Sequence, residues 1–183
     1  MPSTWKGITK MNGSDILRTA FGFAHQVLES VIKDVDAETL HATIPGATIG
    51  SPASTYAHAV FDEDIFIQRS AQGKEPVYVS GRWGDKVGVA MPATPLQTPE
   101  WDAAVRINDV AAFRAYAKAV YAATDAYVAG LSDTDLDRLV DAGQIGKMPL
   151  GEYIVRFSLW HLTSHQGEIS AVLGAMGKKG LRF

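Results

Sequence analysis

Five histidines occur in this chain, and two of them stand four positions apart in Trp160-His161-Leu162-Thr163-Ser164-His165-Gln166-Gly167-Glu168-Ile169. On an α-helix that spacing leaves two side chains about 40° apart on one face. Two imidazoles so placed can grip one divalent metal ion. They do not complete a site, so a third donor must come from elsewhere. Leu162 stands where the metalloprotease helix His-Glu-x-x-His requires its general-base glutamate, which excludes that chemistry. Glu168 follows His165 by three positions on the same face. It could be a metal ligand, an outer partner of a ligand, a general base, or a plain hydrogen-bonding link to a neighbouring helix.

The third donor is expected on another helix. His58, Phe61 and Ile65 fall on one stripe of a segment whose start is marked by Ser51 and Pro52. A histidine in an apolar stripe is costly unless its ring nitrogens find partners. With a histidine pair waiting on a facing helix, metal ligation becomes the stronger reading of His58 than a satisfied core histidine. Asp62, one turn further on, could orient that ligand, bind metal itself or act as a base. Glu63 and Asp64 are expected in solvent. His25 is expected partly buried at the edge of its helix, and His41 exposed and without a role. Three histidines with an open fourth position form the pattern of a catalytic metal. The open position could hold water, whose pKa falls from ~15.7 to ~7 at a favourable metal, or a thiolate or a carbonyl oxygen.

These residues need elements to position them. Ser14 and Asp15 read as the start of a first helix running to about Val35, with Leu17, Phe21, Ala24, Leu28 and Val31 at helical spacing. Asp36 to Gly50 reads as a connector, and the second helix comes next. Ser70 to Asn108 has no helical pattern. Within it Pro76–Val79 alternates weakly and could pair as a short strand, while Gly81-Arg82-Trp83-Gly84 and Met91-Pro92-Ala93-Thr94-Pro95 break any regular element. A structureless segment this long is usually functional or disordered. Tyr78, Trp83, Val87, Val89 and Trp101 favour order, so a crossover packed over one end of the fold, walling a pocket, is expected. The third helix starts near Asp109 and stops at Gly130, and the last runs from about Pro149 to Gly174 with both paired histidines facing inward. The resulting expectation is an all-α chain, a four-helix bundle with one long crossover between helices 2 and 3, in which facing helices build the site.

The remaining sequence removes other chemistries. The 183 residues are 46% hydrophobic and 20% charged, which suits one domain spanning 1–183. A net charge of -3 offers no general attraction for nucleic acid or anionic membrane. With no cysteine, disulfides, thiolate ligands and a cysteine nucleophile are excluded, and any metal must be held by His, Asp or Glu. There is no Gly-x-Ser-x-Gly elbow, Walker loop or Rossmann fingerprint. Met1–Lys6 does not open a basic segment followed by an apolar run, and no stretch approaches the ~20 apolar residues of a membrane span, so a cytoplasmic protein is expected.

Taken together, His58 on the second helix and His161-x-x-x-His165-x-Gly167-Glu168-Ile169 on the last, followed by Leu173-Gly174 and Gly177, resemble the DinB/YfiT-like metalloenzyme superfamily over nearly the whole chain. Thr48-Ile49-Gly50 and Arg82-Trp83-Gly84 are similar to its actinobacterial branch, although apolar residues follow His58 where relatives carry polar ones. The resemblance implies an up-down-down-up bundle, a homodimer, and zinc or nickel on His58, His161 and His165. It implies thiol-dependent chemistry, in which a low-molecular-weight thiol cosubstrate is transferred to an electrophile. In such chemistry the candidate catalytic residues Asp62 and Glu168 could orient the ligands. A hydrolase using metal-activated water and a non-catalytic, stress-related metal-binding bundle are the alternatives.

Overall fold

The computed structural model describes residues 10–92 and 98–181. The expectations placed on Met1–Lys6 and on Ala93–Pro95 lie outside the described residues.

Helix α1 (Gly13–Ile32) starts one residue before the expected cap. Asn12 accepts from the Asp15 amide at 2.8 Å while the Asp15 carboxylate accepts from the Asn12 amide at 3.2 Å, a reciprocal capping box. Ser14 is turned inward instead, and its hydroxyl donates to the Val128 carbonyl. The connector holds a short helix, α2 (Ala37–His41), capped by Asp36. His41 is not a bystander. Its Nε2 accepts from the Ile107 amide at 3.0 Å, so the proton sits on Nδ1, 2.8 Å from the Ala37 carbonyl. It thereby pins α2 to the far end of the crossover.

Helix α3 (Pro52–Asp64) begins as its sequence demands, with Ser51 accepting from the Ser54 amide and Pro52 at the first helical position. All of its residues are buried. It continues through wide, π-type turns over Ile65–Ala71. Among its described residues the crossover contains three short helices, α4 (Val77–Ser80), α5 (Gly84–Val87) and α6 (Pro99–Ala104). The strand expected at Pro76–Val79 is therefore a helical turn. The reason is Asp64, which accepts from the Val77 and Tyr78 amides at 2.8 and 2.9 Å and from the Tyr116 hydroxyl at 2.9 Å. Asp64 is thus fully buried rather than solvated, an anchor that fixes the crossover to the bundle.

Helix α7 (Val110–Ala129), capped by Asp109, and the short α8 (Asp133–Leu136), capped by Ser132, come next. A small antiparallel hairpin, β1 (Leu139–Asp141) and β2 (Lys147–Pro149), joins them to the last helical stretch. That stretch is α9 (Leu150–Tyr153), π-type turns over Ile154–Leu159, and α10 (Trp160–Ala175).

Contact registers give the direction of each long helix. Along α1 and α7 the pairs run oppositely, from Ser14–Val128 through Arg18–Asp125 to Glu29–Arg114, so these helices are antiparallel. Along α3 and α7 they run together, from Tyr56–Phe113 to Glu63–Thr124. Along α3 and α10 they run oppositely again, from His58–His165 to Phe66–Phe157. The order is up-down-down-up, as the four-helix expectation has it. One apolar core, including Leu28, Tyr56, Phe61, Phe113, Tyr116, Leu162 and Ile169, fills the space between the helices. Among the described residues no helix is long and apolar enough to cross a membrane.

Candidate metal centre

Helix α3 supplies His58 and Asp62, and α10 supplies His161 and His165. The structure brings the three imidazoles to one point. His161 Nε2 lies 3.1 Å from His58 Nε2 and 3.0 Å from His165 Nε2. The rings stand edge to face, with centroids 4.3–4.8 Å apart. One donor atom from each can be chosen so that all lie within 4.8 Å of one another. A neutral imidazole carries one N–H and one lone pair, so the three converging nitrogens cannot satisfy each other in full.

The surroundings sharpen that deficit. His58 Nδ1 is buried, has no hydrogen-bond partner and lies 3.6 Å from Asp62 Oδ1. Both Asp62 oxygens are likewise buried without a hydrogen bond, and Oδ2 lies 3.4 Å from His161 Nε2. A buried polar group left in this state is costly, and here three such atoms share one spot. A cation among the three Nε2 atoms resolves it: the lone pairs face the ion, and the outer N–H of His58 is free for Asp62. His165 already has such an outer partner, its Nδ1 lying 2.5 Å from Glu168 Oε2. The donor set therefore fits a divalent metal held by imidazole.

Electrostatics agree. Burial, with His165 close by, pushes His58 down to about 4. Burial and the two neighbouring imidazoles push His161 down to about 3. Both are neutral ligands at physiological pH, as metal binding requires. Burial pushes Asp62 up to about 8.

These shifts predict the pH dependence of the metal-free protein. Asp62 holds its proton more tightly when folded, so its stabilising effect is complete below about pH 3.8 and is lost as pH rises through about 8. His58 and His161 have the opposite sign, with stability present above about pH 6.5 and lost as pH falls through about 4 and about 3. Between about pH 4 and 6.5 the two histidines outweigh Asp62 by one proton, and above 6.5 Asp62 acts alone. Stability of chelator-treated protein is expected to peak near pH 6.5, changing by about 1.4 kcal/mol per pH unit on either side. Urea unfolding across about pH 5–8 measures it. Asp62→Asn should flatten the alkaline side and roughly double the slope of the acid side, to about 2.8 kcal/mol per pH unit, and a wild-type curve still rising at about pH 8 contradicts the assignment.

Two features of the site escape a reading of spacing alone. The first is the pair of π-type segments. Ile65–Ala71 follows His58 by two turns, and Ile154–Leu159 directly precedes α10; the two pack on each other through Phe66 and Phe157. Such turns add a residue to the helical ladder and rotate the succeeding side chains by about 100° around the axis. In the second of them Ile154 and Ser158 are buried and Phe157 is partly buried against the core, and His161 sits against Phe66. The second is the crossover. Trp101 of α6 sets its ring against His58, and its indole N–H donates to the Ala90 carbonyl. Asp102 and Ala103 of the same helix wall a cleft of about 570 Å³ that opens on His165 and Glu168. The Thr48–Ser51 stretch and Thr55 line it too. Gly50 is required there, since a Cβ would collide with the Ser54 hydroxyl and press on Asp102. The expected pocket under the crossover is present. Asp62 is not part of its lining and lies behind the imidazoles.

The family model for the DinB superfamily matches residues 20–169. The chain belongs to the DinB superfamily. A solved structure described as a conserved protein from Enterococcus faecalis superposes with a TM-score of 0.80 at 19% identity, covering 92% of this chain and 100% of that one. At that identity it shows the shared fold. A search of the curated proteins returned no match.

Proposed function

We propose that this DinB-superfamily chain is a divalent-metal-dependent S-transferase that joins a low-molecular-weight thiol to an electrophile. The observation that carries the reading is the convergence of three imidazole Nε2 atoms, with one of the three residues, His165, also lining an open cleft. A purely structural site would be closed by a fourth side chain. His58, His161 and His165 are the ligands of zinc or nickel in this reading. A divalent ion held by these residues would supply stabilisation of an anionic sulfur at neutral pH, because coordination favours the thiolate over the thiol. The chain has no cysteine, so the sulfur belongs to a cosubstrate.

Each residue then has a part. Asp62 positions His58 from behind. Glu168 holds the outer nitrogen of His165 and also lines the cleft, where it is placed to take the proton of an incoming thiol. Asp102 walls the cleft, and Trp101 packs against His58. The protein is read as one domain over 1–183, acting as a cytoplasmic homodimer on small molecules, with no nucleic-acid partner.

The test is loss of free thiol against monochlorobimane with metal-loaded protein, across glutathione, bacillithiol and mycothiol. Metal-dependent turnover with one of them is expected, and Glu168→Gln should lower it about 10–100-fold. Absence of metal-dependent turnover with every thiol overturns the reading.

A further inference from the structure

Thr55 stands one helical turn before His58 on α3, and the fold does not use its hydroxyl. The residue is 2% exposed and lines the cleft. A threonine inside a helix ordinarily turns its hydroxyl back onto a carbonyl three or four residues earlier. Thr19 of α1 does so, donating to the Asp15 carbonyl at 2.8 Å. At Thr55 the carbonyl four back is that of Ser51, which already accepts from the Ser54 hydroxyl and from the Thr55 amide, each at 3.0 Å. Among the described residues the Thr55 hydroxyl makes no hydrogen bond. Side-chain atoms sealed from solvent without a partner occur on His58, Asp62, Gln68 and Ser158, and Thr55 is not one of these residues. The slight access that Thr55 keeps therefore includes its hydroxyl, and the cleft is the space it opens on.

The other hydroxyls of the wall differ. Ser51 is spent on the α3 cap, accepting from the Ser54 amide at 3.2 Å, while Thr43 and Thr48 are exposed to solvent. Helices α3 and α10 are antiparallel, with His58 against His165. Thr55, three residues before His58, thus falls level with Glu168, three residues after His165. Both line the cleft, so a hydroxyl and a carboxylate share one level of the α3–α10 seam, a turn from the imidazoles.

We propose that the Thr55 hydroxyl binds the ligand in this cleft, donating a hydrogen bond to the sulfur whose proton goes to Glu168. The inference rests on the thiol reading for the identity of that atom, but concerns the α3 wall rather than the metal ligands. The thiol S–H bond yields its proton to the Glu168 carboxylate, and the electron pair stays on sulfur. An anionic sulfur in a partly desolvated space needs a donor, and a carboxylate has none to give. The unspent hydroxyl supplies one, and hydrogen bonds to charged acceptors are the stronger kind. A nearly buried hydroxyl without a partner is a cost to the fold, which a ligand at this position removes.

Thr55→Val removes the hydroxyl at nearly constant shape, and Thr55→Ser keeps it. Binding of 2-mercaptoethanol to the metal-loaded proteins is measured by isothermal titration calorimetry. Thr55→Val should bind about tenfold more weakly, the lower end for one hydrogen bond to a charged group, and Thr55→Ser within about twofold of wild type. All three should carry a full complement of metal. Metal-free Thr55→Val should melt no lower than wild type, because its hydroxyl has no partner to lose. A Thr55→Val affinity within about twofold of wild type overturns the proposal. So does a weakening accompanied by a lower metal-free melting temperature that Thr55→Ser restores, which marks a hydroxyl used by the fold. Should the wild type bind no thiol, the thiol reading fails by itself. The hydroxyl is then read with azide on the same metal-loaded protein: about tenfold weaker binding by Thr55→Val supports the donor role, and unchanged affinity overturns it.

Discussion

Replacing His58 by alanine is expected to strip stoichiometric metal from the purified protein. His58 is the sole imidazole that α3 contributes to the cluster, and without it α10 offers only the four-apart pair that cannot complete a site. Removal of an outer partner of a ligand costs roughly 10–100-fold in metal affinity, and removal of a ligand should exceed that range. Elemental analysis after mild purification, followed by chelator competition, measures the change. Metal loss through unfolding is distinguishable from loss of a ligand. In the metal-free state His58 is a buried imidazole with an unpartnered Nδ1 beside an unpartnered carboxylate. Its truncation removes a group that burial already penalises, so metal-free stability should shift by no more than about 2 kcal/mol even with the void it leaves. Wild-type protein should gain stability with added zinc or nickel, by an amount that grows with the logarithm of free metal, and His58→Ala should not. Retention of one equivalent of metal by His58→Ala would remove α3 from the site.

The centre was legible in the sequence because its signals are local or rare. The four-apart pair follows from helical geometry, and a histidine within the stripe of Phe61 and Ile65 stands out against apolar neighbours. Ser51-Pro52 announced the α3 start. The parts that stayed hidden depend on packing across the chain. Asp62, Glu63 and Asp64 are consecutive, and on an exposed or amphipathic helix three consecutive residues cannot share one face. The expectation of one inside and two in solvent comes from that, and it fails because α3 is enclosed on every side. Its small residues at Ala53, Ser54, Ala57 and Ala59 carry the one hint that neighbours approach all round it. Each acid then serves a different partner: Asp62 the imidazoles, Glu63 the α1–α7 side, Asp64 the crossover. The π-type turns leave no composition signal, since they arise where two helices must adjust register against each other. Helices of four to six residues in the crossover are too short to show a period, and the hairpin at Leu139–Pro149 is too short to alternate.

Glu63→Ala is expected to destabilise the fold by about 3–5 kcal/mol, the range for removing one partner of a buried, hydrogen-bonded ionisable pair and leaving the other uncompensated. Glu63 is 1% exposed, so it has no route to water. Its carboxylate meets His25 Nε2 at 2.9 and 3.0 Å and accepts from the Thr124 hydroxyl at 2.6 Å. The His25 ring is in turn stacked on Tyr121, with centroids 3.8 Å apart and planes 16° from parallel. His25 is therefore not an edge residue of α1 but the middle of a chain of contacts joining α1, α3 and α7. Alanine at position 63 leaves a buried imidazole nitrogen and a buried hydroxyl without partners, besides a void. Glu63→Gln keeps volume and one acceptor and should cost about 1–2 kcal/mol. Replacing both partners, His25→Leu with Glu63→Met, should recover most of the loss, because an apolar pair needs no compensation. Urea unfolding of the metal-free proteins at about pH 7 reads all three, and a Glu63→Ala cost below about 1 kcal/mol, the scale of an ordinary surface change, contradicts the buried-pair account. The same variants separate folding from ligation. Glu63 does not touch the imidazole cluster, so Glu63→Gln should keep one equivalent of metal where His58→Ala does not. If Glu63→Gln also loses metal, then the α1–α3–α7 contacts set the rotation of α3 that aims His58, and the two halves of this helix act as one unit.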